Sequence, residues 1–113
     1  KDMVTSNIIP LINTIRKNPV AKKTPIIFIE QCIIDIGSIH NEFINSVIEK
    51  NDELNKQVDN AINKGEKDLF MIKQIGGIDE DSEATVDGIH FNDLGFQRYA
   101  DHFLKNIKEL DIL

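Results

Sequence analysis

At 113 residues the chain has the size of one domain or part of one, and its 41% hydrophobic and 28% charged residues describe a folding globular protein, neither disordered nor membrane-embedded. Thirteen Lys and Arg against 19 acids leave a net charge of -6 with no basic stripe, which removes the main electrostatic contribution to phosphate-backbone binding and sets nucleic acid aside as a partner. No apolar run approaches the about 20 residues that cross a bilayer, no signal-peptide pattern opens the chain, and the single cysteine, Cys32, can form neither an internal disulfide nor a cysteine-only metal site.

In chain order, Ile8, Leu11, Ile12 and Ile15 repeat at helical spacing after Ser6 and Asn7, either of which can cap a helix N-terminus. Pro10 is then expected in the first turn, where amide protons lack intrahelical partners, with the helix ending near Pro19. The stretch "TPIIFIEQ" holds a continuous, β-branched apolar core from Ile26 to Ile29, the pattern of an internal strand of a parallel sheet covered on both faces. From Ile39 to Lys64, Phe43, Val47, Leu54, Val58, Ala61 and Ile62 keep helical periodicity, and Gly65 supplies a C-terminal stop. "DLFMIK" reads as a second short strand, and "QIGGIDEDSEATVDG" as a polar, glycine-containing loop. The last run places Phe96, Tyr99, Phe103, Ile107 and Leu110 on one helical stripe that starts from a cap at Asn92 or Asp93.

Strands separated by helices imply right-handed crossovers and a parallel sheet between helical layers. Two strands are few for three helices, since the mean sheet has about five or six. The sheet is therefore completed either by another copy of the chain or by the rest of a larger α/β domain of which this is the C-terminal part. The chain opens on Lys1 rather than Met, so an upstream segment is expected, and localisation is left open. Ligands of such sheets bind beyond the carboxyl ends of the strands, which puts the loop after "DLFMIK" at the functional edge.

That loop holds Asp87 and His90, an acid and an imidazole three residues apart in a glycine-bearing turn. A carboxylate so placed can hold the imidazole N–H, fix its tautomer and stabilise the imidazolium formed when the ring takes a proton. The same spacing also fits a plainer arrangement, in which Asp87-Gly88 makes an Asx-type turn and His90 is a surface residue before a helix cap.

The stretch "TVDGIHFNDLGFQRYADHF" resembles the terminal block of SGNH/GDSL-type serine hydrolases, with Asp87, Gly88, His90, Asn92, Gly95 and Ala100 falling on the pattern. The likeness is strongest to a bacterial branch in which a "TPI-apolar-apolar-apolar-E" block precedes it, as "TPIIFIE" does here. The resemblance implies a three-layer αβα, flavodoxin-like fold present as its C-terminal part over residues 1–113. It also implies an esterase, lipase or acylhydrolase acting on small esters such as acylated sugars or lipids, without metal or organic cofactor. His90 would be the general base and then the general acid, and Asp87 its orienting partner. Phe91 stands where the family commonly has proline. The family's Gly-Asp-Ser nucleophile block and its oxyanion Gly and Asn blocks are not found: Ser6, Ser38, Ser46 and Ser82 lack that context, and "KDMVTSN" matches an oxyanion block too poorly for Asn7 to be carried over. The chain by itself is expected to be inactive toward esters and, with a sheet edge exposed, to form a homo-oligomer. The alternative is a non-catalytic α/β binding or assembly module that keeps the motif only as an inherited turn.

Other residues have simpler expectations. Cys32 follows the first strand and is expected to be a buried structural thiol rather than a nucleophile. Asp79, Asp81 and Glu83 alternate like calcium ligands, but Ala84 stands where an EF-hand loop has glycine, so a solvated acidic loop is expected. His40 and His102 read as surface or boundary residues. Glu30, at the end of a strand, is expected to organise loops by accepting backbone amides. Phe96, Tyr99 and Phe103 are expected to face the core.

Overall fold

The computed structural model describes residues 1–33 and 41–112. Helix α1 (Asp2–Lys17) is followed by a short 3-10 turn, Pro19–Ala21, then β1 (Ile26–Ile29), α2 (Asn41–Asn63), β2 (Leu69–Ile72) and α3 (Asp93–Leu110). β1 and β2 pair in parallel with Ile26 opposite Leu69 and Ile29 opposite Ile72, joined by the α2 crossover. This is a mixed α/β fold with a small parallel sheet between helices. The expected start of the second helix at Ile39, together with Ser38 and His40, lies outside the described residues.

Ile12 of α1 and Val58 and Ala61 of α2 pack with Leu69, and Ile26, Phe28 and Met71 join them, so α1 and α2 cover the sheet face built by these strand residues. Side chains alternate along a strand, so Phe70 and Ile72 turn to the opposite face; Ile72 is wholly buried there, and α3 lies against β2. Leu11, Phe43 and Ile62 are partly exposed, because the buried stripes run through Ile8, Ile9 and Ile12 and through Val47, Asn51, Val58 and Ala61 instead. α2 ends as the glycine led us to expect. Gly65 has φ +102°, its amide bonds the Ile62 carbonyl and the Glu66 amide reaches Ala61, so both orphan carbonyls are satisfied by the left-handed cap.

One expectation is corrected. α1 starts at Asp2, so Pro10 lies in mid-helix and Ser6 is no cap; its hydroxyl donates back to the Asp2 carbonyl instead. A proline there removes one main-chain bond, and the apolar contacts of Ile8, Ile9 and Ile12 hold the helix across the gap. In this chain β1 is half-buried throughout, and among the described residues its one strand partner is β2. Arg16 adds a long-range tie: its guanidinium donates to the carbonyls of Ala21, Thr24, Lys67 and Asp68, pinning the C-terminus of α1 to the entry of both strands.

Candidate active site

Both strands deliver their carboxyl ends to the same edge, where residues 30–33 and the 73–92 loop meet. The junction is stitched by polar side chains. Glu30 Oε2 accepts from the Gln74 amide at 3.0 Å and Oε1 accepts from Asn55 of α2. Asn51, one turn earlier on α2, accepts from the Gln31 N–H and donates to its C=O, at 2.9 and 2.8 Å. Glu30 thus organises the loops as expected. Asn51 and Asn55 were not singled out by sequence reasoning, although their place beside Val47, Leu54 and Val58 on the packing stripe was the available signal. Cys32 is buried and donates to Gln74 Oε1, and burial pushes its thiol up to about 11, so the neutral, non-nucleophilic form prevails.

The loop then closes a tight turn on itself. Thr85 and Phe91 form an antiparallel bridge, and the Val86 amide bonds the His90 carbonyl. Gly88 sits inside with φ +83°, a conformation glycine adopts without steric cost. Asp87 Oδ1 accepts from the amides of Ile89 and His90 at 2.9 and 2.7 Å, while Oδ2 lies 2.6 Å from His90 Nδ1. The Asx turn and the acid–imidazole pair, alternatives at the level of spacing, coexist because the carboxylate has two oxygens. Those hydrogen bonds, the His90 amide first, lower Asp87 to about 2, so it is ionised at any neutral pH. A carboxylate at Nδ1 holds the proton on that nitrogen and leaves the Nε2 lone pair outward. The ring is 75% exposed.

The turn is seated on α3 by Asn92 and Gly95. Asn92 caps the helix by accepting from the Gly95 amide, its own amide bonds Ala84 O and its side chain donates to Glu83 O. A Cβ on Gly95 would fall 2.0 Å from the Ala84 carbonyl oxygen, so only glycine permits this approach. His90 opens on a cleft of about 430 Å³ lined by Glu30, Gln31, Cys32, Ile89, Phe91, Phe96 and Tyr99. Phe96 is 63% exposed and stands edge-on to Phe91, so it does not face the core as Tyr99 and Phe103 partly do. The helix stripe that packs runs through Gly95, Arg98, Tyr99, His102 and Ile107, and Phe96 falls beside it. His102 therefore lies on the packing side, where Nε2 donates to the Lys73 carbonyl.

The acidic loop is solvent-exposed, as expected, and is also tied to α3 by Arg98. Arg98 meets both oxygens of Asp81 at 2.7 Å, approaches Asp79 at 3.4 Å and donates to Ile78 O; its bidentate hydrogen bonds lower Asp81 to about 2. Sequence reasoning did not single out Arg98, whose partner Asp81 lies 17 residues earlier in the chain. No cluster of three or more metal-ligating groups occurs among the described residues. Ser6 is bonded within α1, Ser46 lies in α2, and Ser82 lines a separate cleft of about 480 Å³ that shares Glu30 and Gln31; among the described residues no serine borders the cleft at His90.

The family model for GDSL-like lipases and acylhydrolases matches residues 1–108, and the chain belongs to that family. The crystal structure of a candidate GDSL-like lipase from Bacteroides ovatus is similar to it at TM-score 0.88 and 30% identity, over 96% of this chain and 32% of that one. The chain thus spans about a third of the length of that protein. Among curated proteins, none matches.

Proposed function

We propose that this chain is the C-terminal part of a single α/β domain of a serine ester hydrolase and supplies the Asp87–His90 pair of its triad, the nucleophilic serine and oxyanion donors standing in sequence upstream. The observation that carries this reading is the 2.6 Å contact between Asp87 Oδ2 and His90 Nδ1, with the imidazole open to a cleft. In the reaction, His90 Nε2 takes the proton of the serine hydroxyl as its oxygen adds to the ester carbonyl. The same nitrogen then protonates the departing alcohol as the tetrahedral intermediate collapses to an acyl-serine. Water repeats the sequence: its proton goes to Nε2, its oxygen to the carbonyl carbon, and the serine leaves reprotonated. Asp87 keeps Nδ1 protonated and stabilises the transient imidazolium without itself changing charge. Small esters such as acylated sugars or lipids are the substrates, and no helix among the described residues is long and apolar enough to cross a membrane.

Hydrolysis of short p-nitrophenyl esters is to be compared between this chain and the longer one carrying the upstream sequence. The short chain is expected to be inactive and the long one active, with His90→Ala lowering the long chain's rate by orders of magnitude. Robust turnover by the short chain would overturn the division of the triad; an inactive long chain would restore the binding-module reading.

A further inference from the structure

We infer that the cleft beside His90 is the site of the ester's alcohol portion, that it selects an apolar, ring-bearing alcohol, and that Phe96 is the residue that sets this selectivity. The inference rests on the hydrolase reading and goes beyond it in assigning a substrate group to particular side chains. A general acid acts at hydrogen-bond range, about 3 Å, so the alcohol oxygen of the ester must come next to Nε2. The first carbons of the alcohol then lie against whatever borders the imidazole. Those neighbours are Ile89 and Phe91 in the turn itself and Phe96 across from them on α3. The acyl group instead follows the carbonyl toward the nucleophile and oxyanion donors, none of which these residues supply.

The chemistry of the wall is apolar and aromatic. Phe91 is fixed by contacts on two sides, with Tyr99 at a ring separation of 5.6 Å and Phe96 at 5.6 Å and 86°. Phe96 stands perpendicular to Phe91 and is 63% exposed, and a large exposed aromatic ring beside a polar reacting group offers a stacking surface. The Cys32 thiol at the floor is neutral. Among the described residues no lysine or arginine lines the cleft, and the Glu30 carboxylate borders it, so an anionic alcohol such as a phosphorylated headgroup gains nothing there. A neutral alcohol with a flat apolar face fits all of these features.

The test uses the full-length chain and two pairs of esters. Benzyl and ethyl acetate share an acyl group and have alcohols of similar leaving ability, so their kcat/KM ratio reports the alcohol site; ethyl butyrate and ethyl acetate report the acyl site. Wild type is expected to favour the benzyl ester, Phe96→Ala to lower the benzyl-to-ethyl ratio about tenfold, the order supplied by one apolar contact, and Phe96→Tyr to preserve it. The butyrate-to-acetate ratio is expected to stay within about twofold in both variants, and thermal melting serves to establish that each is folded. A folded Phe96→Ala enzyme with an unchanged alcohol ratio, or one in which only the acyl ratio moves, overturns the inference while leaving the hydrolase reading standing. Absence of any ester turnover by wild type would instead strike the hydrolase reading itself.

Discussion

Asp87 divides its two oxygens between structure and chemistry. Oδ1 closes the turn through the Ile89 and His90 amides and Oδ2 faces the imidazole, so substitution separates the two roles. Asp87→Asn keeps an oxygen for the amides but sets an amide N–H against Nδ1 if the turn is kept, favouring the tautomer with its proton on the wrong nitrogen. In the full-length chain kcat is expected to fall on the order of 10³- to 10⁴-fold with the fold intact, as measured by steady-state kinetics and circular dichroism. A fall under tenfold would remove Asp87 from the proposed mechanism. The pH dependence has a definite sign. Asp87 is lowered from the ordinary aspartate range near 3.9 to about 2, so its contribution is present in full above that range and is lost as pH falls through about 2. Loss of activity on mild acidification therefore belongs to a group other than Asp87.

At the scale of elements, the junction between the 84–92 turn and α3 is the closest approach in the site. The backbone oxygen of Ala84 occupies the volume a Cβ on Gly95 would need, and a backbone carbonyl bonded to the Asn92 amide cannot swing aside as a side chain end would. Gly95→Ala is expected to cost about 1–3 kcal/mol in denaturant unfolding, the range of an overpacked site, and to lower ester turnover by displacing His90. Unchanged stability would mean the turn is softer than this packing implies. The polar stitch of Glu30, Asn51, Asn55 and Gln74 explains why α2 carries asparagines in its buried stripe. Each satisfies main-chain or carboxylate groups that a strand end leaves unpaired.

At the scale of the whole molecule, the sheet has two strands, and β1 presents an edge with no second partner among the described residues. Ile27 and Ile29, which alternate away from the α1 and α2 core, are only half-buried, and Met3, Leu11, Ile48, Ile75 and Leu104 are exposed. Unpaired edges and scattered apolar surface favour association. We propose that the chain in isolation forms a dimer or larger assembly; light scattering after size-exclusion chromatography at high micromolar concentration is expected to show it, and a clean monomer would count against it. On the proposal that the chain is the C-terminal part of a larger domain, the same edge is the place for further strands.

The sequence alone determined what depends on short-range order. Helical and strand periods, the Gly65 stop, a cap at Asn92 or Asp93 and the Asp87–His90 spacing are all properties of a few consecutive residues, and the turn that joins Asp87 to His90 needs only its own amides. Tertiary structure decided which part of each helix's apolar stripe is buried. Phe96 points outward because α3 docks through Gly95, Arg98 and Tyr99, with His102 at the boundary, and the periodicity of a helix does not say which part of a broad apolar stripe meets its neighbour. The same holds for Arg98 on Asp81 and Glu30 on the Gln74 amide, 17 and 44 residues apart in the chain. The Glu30 contact exists only once the α2 crossover has brought the two strand ends side by side, and the Arg98 contact only once α3 has folded back onto the loop that precedes it.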